Sequence, residues 1–200
     1  MTALPETRLW LIRHAAPAIS ADRCYGRTDP KLSRSGRRQA QQIAARLSKE
    51  PLVAIYSSAQ RRAIQTADAI ACVHALTVQC VEEFAEIDFG DLDGLTYTEI
   101  QSQFPDVFQA WMTTPTAVRF PGGEAFTDLY DRVTRTAQIL LDRHRGSSFA
   151  IVSHSGVIRS LLAQAFCLPP ANVFRIGQRY SAMNLISFIG DFPIVELLNG

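Results

Sequence analysis

Arg8-Leu9-Trp10-Leu11-Ile12-Arg13-His14 is the stretch from which the rest of the chain can be read. Four apolar residues in a row, without polar alternation, form the pattern of a short strand covered on both faces. A second such run, Phe149-Ala150-Ile151-Val152-Ser153, also ends in a histidine, His154. Around these runs the periodicity is helical. Ala40, Ile43, Ala44 and Leu47 recur at i, i+3, i+4, i+7 and predict a helix over 33–47, with Ser33 or Ser35 as its cap. Residues 52–56 read as strand, 61–72 as helix and 76–81 as a weaker strand. Residues 96–112 have helical character interrupted by Pro105, and 113–123, with two prolines and two glycines, read as loop. Phe126, Leu129, Val133, Ala137 and Leu140 share one face of a long helix. Val157, Ile158, Leu161, Leu162 and Ala165 define another, and 183–189 and 194–198 suit closing strands. Strands alternating with helices predict an α/β sandwich around a mostly parallel sheet. Ligands in such folds sit beyond the carboxyl ends of the strands.

Composition narrows the function. The 200 residues are 47% hydrophobic and 20% charged, and 20 Lys+Arg against 19 Asp+Glu leave a net charge of +1. That balance argues against a nucleic-acid-binding domain and an acidic disordered tail. No stretch approaches the ~18 apolar residues of a membrane span, and Met1 to Glu6 lacks a secretory layout. Cys24, Cys72, Cys80 and Cys167 are scattered without metal-like spacing, so reduced thiols and a cytoplasmic location are expected. Of the 20 basic residues, 18 are arginine, Lys31 and Lys49 being the exceptions. A coding bias would account for most of that excess. Some of these guanidiniums could instead grip a planar anion.

Four histidines occur, His14, His74, His144 and His154, and two of them sit where an α/β fold places its chemistry. Most lone histidines are structural, and two at equivalent strand ends shift that balance. A metal site fits poorly, because no HxH or HxxxH pair is present and Arg13 beside His14 would repel a cation. Phosphate suits an arginine next to a histidine better. Ser57-Ser58-Ala59-Gln60-Arg61-Arg62 again runs from a strand end into a helix N-terminus, which favours anions. At least one of Arg61 and Arg62 is expected on a solvated face. The segment Glu86 to Gly94 packs four carboxylates before its closing glycine. Beside a phosphate pocket one of them could serve as a general acid.

In this order the segments resemble the histidine phosphatase, or phosphoglycerate mutase-like, superfamily. Leu11-Ile12-Arg13-His14-Ala15 matches its Arg-His-Gly opening, and Gly26 to Gly36 its Gly-x-x-Asp-x-x-Leu-(Thr/Ser)-x-x-Gly stretch. Ser57 to Ala67 matches its Ser-Ser-x-x-x-Arg-Ala-x-x-Thr-Ala element and selects Arg62. Glu86 to Gly94 matches Glu-x-x-x-Gly-x-x-x-Gly and selects Glu86. Gly122-Gly123-Glu124 resembles a Gly-Gly-Glu-Ser loop with Ala125 for the serine, and Ile151 to Arg159 matches the second-histidine motif. Subfamily features, among them Leu168-Pro169-Pro170-Ala171 and Phe174-Arg175, are similar to those of the α-ribazole phosphatases.

The resemblance implies a three-layer α/β/α sandwich, one domain over 1–200 with a helical lid inserted at about 96–123. It implies phosphomonoester hydrolysis without metal or cofactor. His14 would carry the phosphoryl group. Arg13, Arg62 and His154 would surround its oxygens, and Glu86 would be general acid and base. Ser155, Tyr25 and Gly26 are further candidates for contact with phosphate or substrate, and Arg27 for the rim. The partner would be a small phosphorylated metabolite such as α-ribazole 5′-phosphate, with no nucleic acid or membrane; the oligomeric state, a dimer included, stays open. Phosphoglycerate mutase-type transfer and a non-catalytic phospho-ligand binder are the competing functions. Ala15 for glycine and Pro17 for threonine depart from the pattern and bear on affinity and substrate shape. Phe104, Phe108, Trp111 and Phe120 are expected to pack the lid rather than line the cleft.

Overall fold

A computed structural model describes residues 5–200; Met1 to Leu4, part of the segment read for a secretory layout, lie outside the described residues. Six strands form one mixed sheet: β1 (Glu6–Arg13), β2 (Leu52–Ser57), β3 (Val78–Cys80), β4 (Ser148–Ser153), β5 (Met183–Ile189) and β6 (Phe192–Leu197). Their order is β3-β2-β4-β1-β5-β6. The first four are mutually parallel, while β5 and β6 add antiparallel at one side. The expectation of a mostly parallel sheet holds for this four-stranded part.

The apolar runs at Leu9 and Phe149 are buried on both faces, as their lack of alternation requires. Leu9, Leu11, Phe149 and Ile151 turn to one side, where α5 (Phe126–Arg143) and α6 (Ser155–Ala165) pack. Trp10, Ile12, Ala150 and Val152 turn to the other, against α1 (Arg34–Leu47) and α2 (Arg61–His74). The result is the expected helix–sheet–helix arrangement. Ser33 caps α1 by accepting from the Gly36 N–H at 2.9 Å. Where serine would cap α5, Ala125 has no side-chain acceptor, and only the reciprocal bond from Ala125 N–H to Asp128 remains.

Residues 96–123 contain α3 (Tyr97–Gln103), with a Thr96–Glu99 capping box, and α4 (Pro105–Thr113), with Pro105 in its first turn. Pro105 ends one helix and starts the next, because its ring tolerates only the N-terminal turn. Among the described residues no helix is long and apolar enough to cross a membrane.

Candidate active site

Three parallel strands end together. β1 and β4 are in register through Arg13 opposite Ser153, so the two histidines that follow begin level with each other. The His14 N–H donates to Ser153 O at 2.8 Å, and Ser58, just past β2, donates its N–H to Val152 O at 3.0 Å. After β1 the chain passes to the α1 layer, and after β4 to the α6 layer. The crevice between them is therefore the topological switch point of the parallel strands.

His14 and His154 are buried with ring centres 5.0 Å apart. His14 Nδ1 lies 2.9 Å from the Ala15 carbonyl. A carbonyl can only accept, so Nδ1 carries the proton and Nε2 keeps its lone pair. Burial, and after it the Arg62 and Arg13 guanidiniums, hold His14 well below the usual imidazole range. Burial, then Arg62, His14 and Arg13, do the same to His154. Both rings are neutral at pH 7.

The unfolded chain protonates these two residues near pH 6.5 while the native state resists. More protons bound to the unfolded state means that stability falls as pH falls below that point. Each histidine should cost roughly tenfold in the folding constant per pH unit down to its native value. Urea titrations between pH 7 and 5 should show this slope, reduced in His14→Asn. An equal slope in that variant would refute the assignment.

The arginines are held by backbone oxygens. Arg62, fully buried, donates from Nη1 to Thr28 O at 2.8 Å and from Nη2 to Gly26 O at 2.9 Å. Arg13 donates to Gln178 O at 2.6 Å and stacks 4.2 Å over Tyr180. His154 Nε2 meets Ser58 Oγ at 2.8 Å. Buried polar atoms are normally paired. Among the described residues seven such side-chain atoms are not, and three of them are Arg13 Nε, Arg62 Nε and His154 Nδ1. Of these three residues Arg62 lines the polar pocket beside His14, while Arg13 and His154 are not among its walls.

Glu86 joins them from a loop. Its Oε1 accepts from Ile87 N–H at 3.0 Å, and its Oε2 from Ser155 Oγ at 3.2 Å and Gly156 N–H at 3.3 Å. Arg132 on α5 grips the loop, donating to the carbonyls of Glu83, Ala85 and Glu86. The same guanidinium pairs with both oxygens of Glu124 at 2.9 Å, and Glu124 accepts from Asp88 N–H. Gly156 must remain small, since a Cβ there would lie 2.4 Å from Glu86 Oε1 and 2.9 Å from Leu129. Gly156→Ala should therefore displace Glu86 and lower kcat/KM about 100-fold. The alanine itself favours the helix, so the melting temperature should stay near that of the parent. Full activity in this variant would show that Glu86 needs no such fixed place.

The polar pocket, of about 120 Å³, is lined by His14, Tyr25, Arg62, Glu86 and Ser155 among others. Tyr25 OH bonds to Tyr180 OH, and its ring lies 5.1 Å from the Arg62 guanidinium. The Gly26 carbonyl accepts from Arg62 and Gln60, so this residue supports the arginine from behind. Arg27 is not a wall of this pocket; it pairs with Asp88, while Arg23, which no motif singled out, is one. Arg61 is exposed, and its N–H is taken by Asp29. The Ala15 methyl packs with Leu32 and Ala40 rather than lining the pocket.

A larger annex of about 230 Å³ adjoins through Glu86, Phe89, Tyr97 and Ser155. Trp111 and Phe120 both pack against the core and line this annex, so the packing expectation was too narrow for them. Phe104 and Phe108 only pack. Like Arg23, the residues Tyr180, Gln178, Gln60 and Arg132 had no role assigned by any motif.

The sequence matches the Histidine phosphatase superfamily (branch 1) over residues 9–200. Phosphoglycerate mutase-like protein 4 of Arabidopsis thaliana is 39% identical over 78% of this chain and 69% of its own length. Phosphoserine phosphatase 1 of Hydrogenobacter thermophilus is 35% identical, over 77% and 74% respectively. The crystal structure of the α-ribazole phosphatase from Shigella flexneri superposes with a TM-score of 0.89 at 26% identity, covering 96% of each chain. With paired strand-end histidines in that fold and the match running almost the full length, the chain belongs to the histidine phosphatase superfamily.

Proposed function

We propose that this protein is a metal-independent phosphomonoesterase working through a phosphohistidine on His14. The observation that carries the reading is a neutral His14 with Nε2 unprotonated, surrounded by unpaired nitrogens of Arg13, Arg62 and His154. Nε2 attacks phosphorus in line with the ester oxygen. As that P–O bond breaks, Glu86 relays to the leaving oxygen the proton that a monoanionic phosphate ester brings in, and the alcohol departs. With Ser58 donating to His154 Nε2, Nδ1–H points a third donor at the phosphoryl oxygens beside the two guanidiniums. Glu86 then takes a proton from water, the hydroxide attacks phosphorus, the P–N bond breaks and inorganic phosphate leaves. The positive charge that such a transition state needs is supplied by Arg13 and Arg62.

The annex receives the leaving group, and residues 96–123 act as its lid. Its aromatic walls suit a small metabolite with an apolar or ring-bearing body, α-ribazole 5′-phosphate among the candidates. Four unpaired thiols suit a cytosolic setting.

Phosphate release from phenyl phosphate in the presence of EDTA tests the chemistry, together with rapid quench for an acid-labile phosphoryl group on His14. Loss of activity on chelation, or a quench without bound phosphate, would overturn it. A panel of α-ribazole 5′-phosphate, phosphoserine, 3-phosphoglycerate and sugar phosphates tests the substrate. Return of the group to bound phosphoglycerate, rather than to water, would make the enzyme a mutase.

A further inference from the structure

Arg159 lies one helical turn beyond Ser155 on α6, roughly 6 Å further along its axis. It lines the annex, where among the described residues Glu86 is the only other charged wall. Its Nε donates to Ile176 O at 2.9 Å and its guanidinium packs 5.3 Å over the Phe174 ring. Those contacts fix the plane of the fork. Among the described residues, neither Nη1 nor Nη2 makes a hydrogen bond. Glu86 does not use them, since its own oxygens are held by Ile87, Ser155 and Gly156. Burial pulls the proton affinity of Arg159 down, opposed by the charge of Glu86. The side chain is thus half-buried, oriented and without a hydrogen-bond partner at Nη1 and Nη2, in a cavity whose remaining walls are mostly aromatic.

We propose that Arg159 is a specificity residue that binds a carboxylate on the leaving group of the substrate. The substrate class is then a phosphomonoester whose leaving group combines a ring or apolar body, laid against Phe89, Tyr97, Trp111 and Phe120, with an acidic group one ring's length from the scissile oxygen. A planar fork with two free N–H edges matches a carboxylate in bidentate fashion. A neutral leaving group would cover these donors without satisfying them, which costs it binding and so discriminates against it. The assignment rests on the phosphatase reading and adds a subsite to it.

The test compares kcat/KM for 3- and 4-carboxyphenyl phosphate with that for the corresponding carbamoylphenyl phosphates, and with phenyl phosphate. The parent should favour the better carboxyl ester over its amide by about 10- to 100-fold. Arg159→Gln should remove most of that ratio, and Arg159→Lys, keeping the charge without the fork, should keep part of it. A ratio near one in the parent, or an equal fall on both esters in Arg159→Gln, would overturn the subsite while leaving the phosphatase reading intact. A parent inactive on all the esters would overturn the phosphatase reading instead. Calorimetry with carboxyphenyl phosphonate would then decide the subsite by whether Arg159→Gln weakens binding. If Arg159→Gln fails to fold, Arg159→Lys carries the same comparison.

Discussion

Replacing His14 with asparagine should abolish turnover, with kcat falling about 10⁴-fold or more and no phosphoryl group recovered on quench. Asparagine keeps an N–H near the position of Nδ1, which donates to Ala15 O, but offers no lone pair in place of Nε2. Both side chains are neutral at pH 7, so the substitution removes no charge from the buried site. The fold should survive, and a melting curve checks that. The donors on Arg13, Arg62 and His154 should still hold inorganic phosphate or vanadate, so anion binding and catalysis should separate in this one variant. Turnover at the parent rate would overturn the phosphohistidine route. A parent that binds phosphate but hydrolyses nothing would make the chain a binder.

The strand-end histidines were legible because the strands that carry them are buried on both faces. Such strands write themselves as uninterrupted apolar runs, and an α/β fold then dictates which end matters. Arg62 was not separable from Arg61 by periodicity alone, because both occupy the first turn of α2. Burial separates them: Arg62 shares the inward face with Thr66, whose hydroxyl donates to Arg62 O and accepts from Ala15 N–H. Arg132 was invisible for the opposite reason. It sits on a helix where an arginine ordinarily reads as a solvated face, and its role depends on carbonyls of a loop far away in sequence. Tyr180 and Gln178 come from a segment without periodicity or motif, and only folding brings them to Arg13. The hold of Gly26 on Arg62 was not legible either, since a sequence does not show which way a carbonyl turns.

Glu86→Gln should lower kcat for alkyl phosphate esters by about 10²- to 10⁴-fold, while the first turnover on 4-nitrophenyl phosphate is largely spared. The two esters differ in what they ask of Glu86. An alkoxide leaves poorly without a proton, whereas nitrophenolate needs little help, so only the first requires the acid in step one. Both require the base in step two, because the phosphohistidine is the same. The variant should therefore give a burst of nitrophenolate, one equivalent per site, followed by slow turnover with the phosphoenzyme accumulated. The amide also places its NH₂ against the N–H of Ile87 or of Gly156, so some loss of local order is expected in the melting curve. Such a loss would slow both esters alike and produce no burst. Equal falls without accumulated phosphoenzyme would remove Glu86 from proton transfer and leave it a structural carboxylate at the start of α6.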